Sequence, residues 1–181
     1  MTVFISGGCK NGKSTIAENC CIALAKGGPL YYIATMIAYD DEDRERIKRH
    51  VASRAGKNFI TLEQPKDLLA CLEKSDTESG TYLLDSVTAL LINEMYSPDS
   101  FEADRDAGRR TARDLEIFAK SVKNAVFVSD FIYAGAERYS EYTIEYMEAL
   151  ALCDRTLAAC CDAAAEVCGA IPVMYKGELP I

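Results

Sequence analysis

Near its start the chain reads FISGGCKNGKSTIAENC, residues 4–20, and this stretch limits the fold more than any other. Gly7-Gly8-Cys9-Lys10-Asn11-Gly12-Lys13-Ser14 fits G-x-x-x-x-G-K-[ST] in full. A short apolar run, TVFIS at 2–6, precedes it. A helical pattern follows from Lys13 to about Lys26, where Gly27-Gly28-Pro29 ends it. Strand, glycine-rich turn and helix in that order make a phosphate-binding unit. The glycines permit backbone conformations that aim several N–H groups at one anion. The helix N-terminus adds partial positive charge. In this pattern Lys13 reaches the β and γ phosphates of a nucleoside triphosphate, and Ser14 ligates Mg²⁺. A turn that merely joined strand to helix would need neither the lysine nor the serine.

The rest of the chain continues the alternation. LYYIAT at 30–35, NFITLE at 58–63, TYLLDSV at 81–87, AVFVSD at 125–130 and AIPVMYK at 170–176 read as further strands. Between them helices are expected at 40–54, 65–74, 87–96, 100–122 and across much of 138–166. Strands that alternate with helices imply a mostly parallel sheet covered on both faces, an α/β fold of the P-loop NTPase type. Pro172 inside the last run suggests an edge strand or a bulge. At 181 residues one domain is expected, spanning 1–181. The most loop-like regions are 34–42, 96–102 and 131–140.

The net charge of -8 argues against broad binding to nucleic acid or a membrane surface. An anionic substrate must then be held by local cations. No apolar run approaches ~18 residues, so no membrane span is expected, and the cytoplasm follows by default. The eight cysteines contain no C-x-x-C pair and have one histidine to assist them, a poor zinc set. They are expected to be mostly small, buried, reduced hydrophobes.

Two carboxylates end apolar strands, as a Mg²⁺ partner should: Asp85 in TYLLD and Asp130 in AVFVSD. We favour Asp85, and either can instead cap a turn. On the helix at 40–54, Arg46, His50 and Arg54 stand at i, i+4 and i+8 and share a face. Ile47 and Val51 are placed to pack that helix onto the body. Two guanidinium neighbours disfavour a third positive charge between them, and a neutral imidazole is a nucleophile. Flanking guanidiniums also suit a phosphate under attack. From spacing alone, a solvated charged face with an incidental histidine is the plainer reading.

SGGCKNGKS, then YYIAT, then DDEDRERIKRH with Arg54 four residues on, then LLDSVT, and GAIPVMYK near the end together resemble one family. It is the bifunctional adenosylcobinamide kinase / adenosylcobinamide-phosphate guanylyltransferase family of cobalamin biosynthesis. Order and spacing agree along nearly the whole chain, and R-I-x-x-H-x-x-x-R behind Y-I-A-T is far more specific than the P-loop. The resemblance implies phosphorylation of adenosylcobinamide, then transfer of GMP from GTP through a GMP–histidine intermediate that falls on His50. It implies nucleotide contacts on Gly7 through Ser14, on Ala34, Thr35 and Met36, on Val51, Ala52, Ser53 and Arg54, on Glu63 and on Asp85. It implies GTP and ATP as substrates with Mg²⁺, and a homotrimer with nucleotide sites near subunit boundaries. The chain departs from the pattern where Asp85 replaces a frequent Glu. It departs again where Asp130-Phe131-Ile132-Tyr133 replaces a frequent N-E-V-G. Phe131, Ile132 and Tyr133 either pack under the acceptor or anchor their loop. Two alternatives are a relative that keeps only guanylyl transfer or takes another acceptor, and a nucleotide-responsive regulator. Lys13 and His50 together speak against the regulator.

Overall fold

The structure is a computed structural model that describes residues 1–96, 103–133 and 139–181, without the side chain of Ser53. Seven strands form one sheet in the order β3-β2-β4-β5-β1-β6-β7. They are β1 (Thr2–Gly7), β2 (Leu30–Ala34), β3 (Phe59–Glu63), β4 (Thr81–Asp85), β5 (Asn124–Asp130), β6 (Ala163–Cys168) and β7 (Ile171–Lys176). All neighbours are parallel except β6 and β7. The helices are α1 (Lys13–Ala25), α2 (Asp41–Ser53), α3 (Val87–Met95), α4 (Ala107–Ser121) and α5 (Glu141–Cys160). This is the expected P-loop-type α/β architecture.

Strand alternation sorts the core into two layers. Val3, Ile5, Tyr32, Leu83, Val126 and Val128 pack with Ala17, Cys20 and Cys21 of α1. Phe4, Tyr31, Ile33, Tyr82, Leu84 and Phe127 point the other way, into Leu90, Leu115, Phe118, Leu150 and Leu157 of α3, α4 and α5. Five of the eight cysteines are buried, Cys160 is half-buried, and Cys9 and Cys168 are exposed. No described helix is long and apolar enough to cross a membrane.

Three expectations need correction. The helix anticipated to 166 stops at Cys160, and Ala163–Cys168 is a strand beside β1. The run AAAEVC favours helix by propensity, but pairing with β1 buries Ala163, Ala164, Ala165 and Val167 and overrides it. Residues 65–74 form a 3₁₀ segment, Leu68–Glu73, that buries Leu68 and Cys71 at the three-residue spacing of that helix. The helix anticipated from 100 begins at Ala107, and the first residues of that expected helix, like part of the 131–140 loop, lie outside the described residues. Pro172 does lie on an edge strand, opposite Val167.

Candidate active site

The register of the parallel strands puts the chemistry in one row. Ala34 is level with both Glu63 and Asp85, and Gly7 is level with Asp130. These are the carboxyl ends of five neighbouring strands, β3-β2-β4-β5-β1, where open α/β sheets bind ligands.

The P-loop turns here into α1. Helices α2, α3 and α5 are capped by the side chains of Asp40, Ser86 and Ser140. Helix α1 has Gly12 at that position, in the left-handed region at φ 93, with no side chain to offer. A Cβ there would also stand 3.3 Å from that of Ala170. Asn11 Oδ1 accepts from the Lys13 N–H at 3.3 Å. The first turn of α1 is therefore fit to receive an anion rather than a cap. Lys13 is 7% exposed. Its Nζ donates to Gly8 O at 3.0 Å and pairs with Asp130 Oδ1 at 2.6 Å. The Asp130 N–H is itself held by Thr88 Oγ1 at 2.9 Å.

A cavity of about 670 Å³ opens over this row. From the P-loop it is lined by Cys9, Lys10, Lys13 and Ser14, and from the strand ends by Ala34, Met36, Glu63, Asp85 and Asp130. From α2 and its C-terminus come Arg46, His50, Val51 and Arg54. The three residues expected on one face of α2 thus meet the P-loop across a single cavity. His50 Nδ1 lies 3.8 Å from Asp85 Oδ2, longer than a hydrogen bond but within ion-pair reach. Arg54 is 7% exposed, and its guanidinium carbon sits 3.4 Å from the centre of the Tyr32 ring. Its Nη1 has no hydrogen-bond partner among the described residues. Tyr32 donates from its hydroxyl to Asp85 Oδ2 at 3.4 Å, and burial foremost, with Asp85 second, pushes the phenol well up, so the proton stays.

Several expected contacts are not in the cavity wall. Gly7, Gly8, Asn11 and Gly12 are not among the residues that line the cavity. Thr35 is fully buried, accepting from the Ser86 N–H at 3.0 Å and donating to Ser86 O at 2.9 Å, so its hydroxyl fixes the turn after Asp85. Ala52 is exposed away from the cavity, and the Ser53 side chain lies outside the described residues. Val51, expected to pack α2 onto the body, is 56% exposed. Ile47 is half-buried in the cavity wall instead. No sequence motif marks Tyr32 as a site residue. The available signal was a tyrosine inside a buried strand, whose hydroxyl needs a partner.

Ser14, Asp85 and Asp130 bring one hydroxyl and two carboxylates to the cavity that Lys13 also lines. Hard oxygen donors in that small number suit Mg²⁺, which takes one or two protein ligands and completes its shell with phosphates and water.

A crystal structure of a KaiC-like protein from Pyrococcus horikoshii has the same fold. The identity is 14%, with 98% of this chain and 79% of that chain covered, at a TM-score of 0.50. The flagellar accessory protein FlaH from Methanocaldococcus jannaschii is also similar, at 12% identity, 99% and 79% coverage and a TM-score of 0.48. No curated protein matches the sequence. The family model of cobinamide kinase / cobinamide phosphate guanyltransferase matches residues 3–174, nearly the whole chain and every residue of the cavity wall. The chain belongs to the cobinamide kinase / cobinamide phosphate guanyltransferase family.

Proposed function

We propose that the protein phosphorylates adenosylcobinamide and then joins GMP to the product through a covalent intermediate on His50. The carrying observation is that His50 and the P-loop lysine face one cavity, from two elements far apart in sequence. In the kinase step the acceptor hydroxyl attacks the γ-phosphorus. A new O–P bond forms, the β–γ bridge breaks, and the hydroxyl proton leaves. Lys13 holds the charge that builds on the β and γ oxygens. Ser14 and Asp85 would hold Mg²⁺, which supplies further neutralisation of the phosphates.

In the transfer step an imidazole nitrogen attacks the α-phosphorus of GTP and pyrophosphate departs. The Asp85 carboxylate stands on the Nδ1 side of the ring, where it can orient the imidazole. Arg46 and Arg54 line the same cavity, and neither has a carboxylate partner among the described residues. They are the local cations that an acidic protein needs for an anionic substrate. An oxygen of adenosylcobinamide phosphate then attacks the same phosphorus, the N–P bond breaks, and His50 is regenerated. Dividing the transfer this way replaces one hard step by two easier ones. Glu63 lines the same cavity, and its carboxylate can accept from a guanine or ribose donor.

Assays of both half-reactions with purified adenosylcobinamide and its phosphate test this reading. Formation of both products supports it, and loss of either one narrows the protein to a single activity. We infer a homotrimer and a cytoplasmic location from the family resemblance. Light scattering that reports a mass other than three 19.9-kDa chains would contradict the trimer.

A further inference from the structure

The cavity under α2 accommodates a nucleotide, and the acceptor needs a place of its own beside it. A corrinoid is a broad macrocycle with apolar faces and a polar fringe. Its side-chain hydroxyl must come to the γ-phosphate at Lys13, so an exposed apolar surface is required at the P-loop rim. Phe131 meets that requirement. It is 41% exposed, follows directly on the Asp130 that pairs with Lys13, and donates its N–H to Gly7 O at 2.9 Å.

The two residues after it behave differently. Ile132 and Tyr133 are partly buried against the core formed with α3, α4 and α5. The Tyr133 hydroxyl donates to Asp154 Oδ2 at 2.7 Å, and Asp154 on α5 is only 9% exposed. Tyr133 in turn meets Phe131 edge to face, with ring centres 5.4 Å apart at 90°. This bond and ring contact brace the Phe131 ring, which stays 41% exposed. Of the two roles open to this segment, Ile132 and Tyr133 have the geometry of anchors, and Phe131 has that of a contact surface.

We propose that Phe131 is the apolar floor of the acceptor site, packing against the corrin ring, with Tyr133 and Asp154 as positioning residues beneath it. The inference rests on the acceptor named under Proposed function. Equilibrium binding of adenosylcobinamide, measured beside that of ATP and GTP, tests it. Phe131→Ala should weaken corrinoid binding roughly tenfold to a hundredfold, the loss expected for a buried aromatic contact. Nucleotide affinities should stay within about twofold, which also reports that the variant is folded. Phe131→Tyr, which keeps the ring, should bind corrinoid nearly as the wild type does. Tyr133→Phe keeps its own ring but loses the bond to Asp154. It should raise the corrinoid KM several-fold at unchanged nucleotide KM. Wild-type affinity for corrinoid in Phe131→Ala overturns the proposal. A wild-type protein that binds nucleotides but no corrinoid overturns the acceptor reading itself, and the proposal falls with it.

Discussion

Helices α1 and α2 face the same cavity, yet they are held in opposite ways. Helix α1 is part of the core: Ala17, Cys20 and Cys21 are fully buried against the sheet, and Lys13 is nearly so. Helix α2 has no core residue among its described side chains. Arg44 pairs with Asp41 and Lys48 with Glu45 along its surface, and such exposed pairs stabilise by well under about 1 kcal/mol each. What ties its end down is Arg54 over Tyr32, together with the wall of the cavity. The core element carries the P-loop, which both reactions use in the mechanism proposed above. The lightly held element carries His50, which in that proposal only guanylyl transfer needs. A closing motion of α2, bounded by loops on either side, is compatible with bringing His50 to the α-phosphate.

That contrast makes the two activities separable, and variants can break it. The largest effect is expected on the α1 side. Lys13→Ala should weaken triphosphate binding and cut phosphoryl transfer by roughly a hundredfold or more, with guanylyl transfer falling too. Kinase activity near wild type would remove the P-loop from the mechanism. Asp85→Asn comes next. It should raise the Mg²⁺ concentration needed by both half-reactions on the order of tenfold. An unchanged Mg²⁺ titration would move the metal to Asp130.

A smaller and more selective effect is expected on the α2 side. Arg54→Ala should lower guanylyl transfer roughly tenfold, through loss of a desolvated cation–π contact that holds the end of the helix. It should leave phosphorylation of adenosylcobinamide nearly intact. Arg54→Lys should not restore the transfer, because the flat guanidinium is what stacks on Tyr32. Equal losses in both half-reactions would show that α2 is not the independent element described here.

The smallest effect belongs to neither helix. Burial raises the Asp154 carboxyl to about 6 from the ordinary 3.8. Between those values the folded chain binds this proton more tightly than the unfolded chain does. Its contribution to stability is thus fully present below the unfolded value and is lost as pH rises through about 6. Asp154→Asn should flatten that fall between roughly pH 4 and 6, by on the order of 2 kcal/mol relative to the wild type, in thermal or urea unfolding. Parallel pH profiles would contradict it.

The same contrast explains what the sequence disclosed. The P-loop was legible because its requirements are local: glycines at fixed offsets, a lysine, a hydroxyl, a strand before and a helix after. Six of the seven strands and the edge position of Pro172 were legible from apolar runs and turn residues. The strand Ala163–Cys168 was not, since an alanine run takes its form from the β1 edge it meets and not from its own preference. On α2, spacing alone placed Arg46, His50 and Arg54 on one face but left their purpose open. The approach of Asp85 to His50 and the stacking of Arg54 on Tyr32 join elements tens of residues apart, and no local pattern contains them. The opposite fates of Phe131 and Tyr133 likewise depend on Asp154 of α5.

The central claim is that His50 carries GMP. Intact mass of protein incubated with GTP and Mg²⁺ tests it most directly. The wild type should gain one GMP per chain, in a phosphorus–nitrogen bond that acid cleaves and base spares. His50→Ala should gain none, while still binding GTP through the P-loop and still phosphorylating adenosylcobinamide. An acid-labile GMP adduct on the His50→Ala protein, or formation of GDP-cobinamide by it at the wild-type rate, would contradict the account.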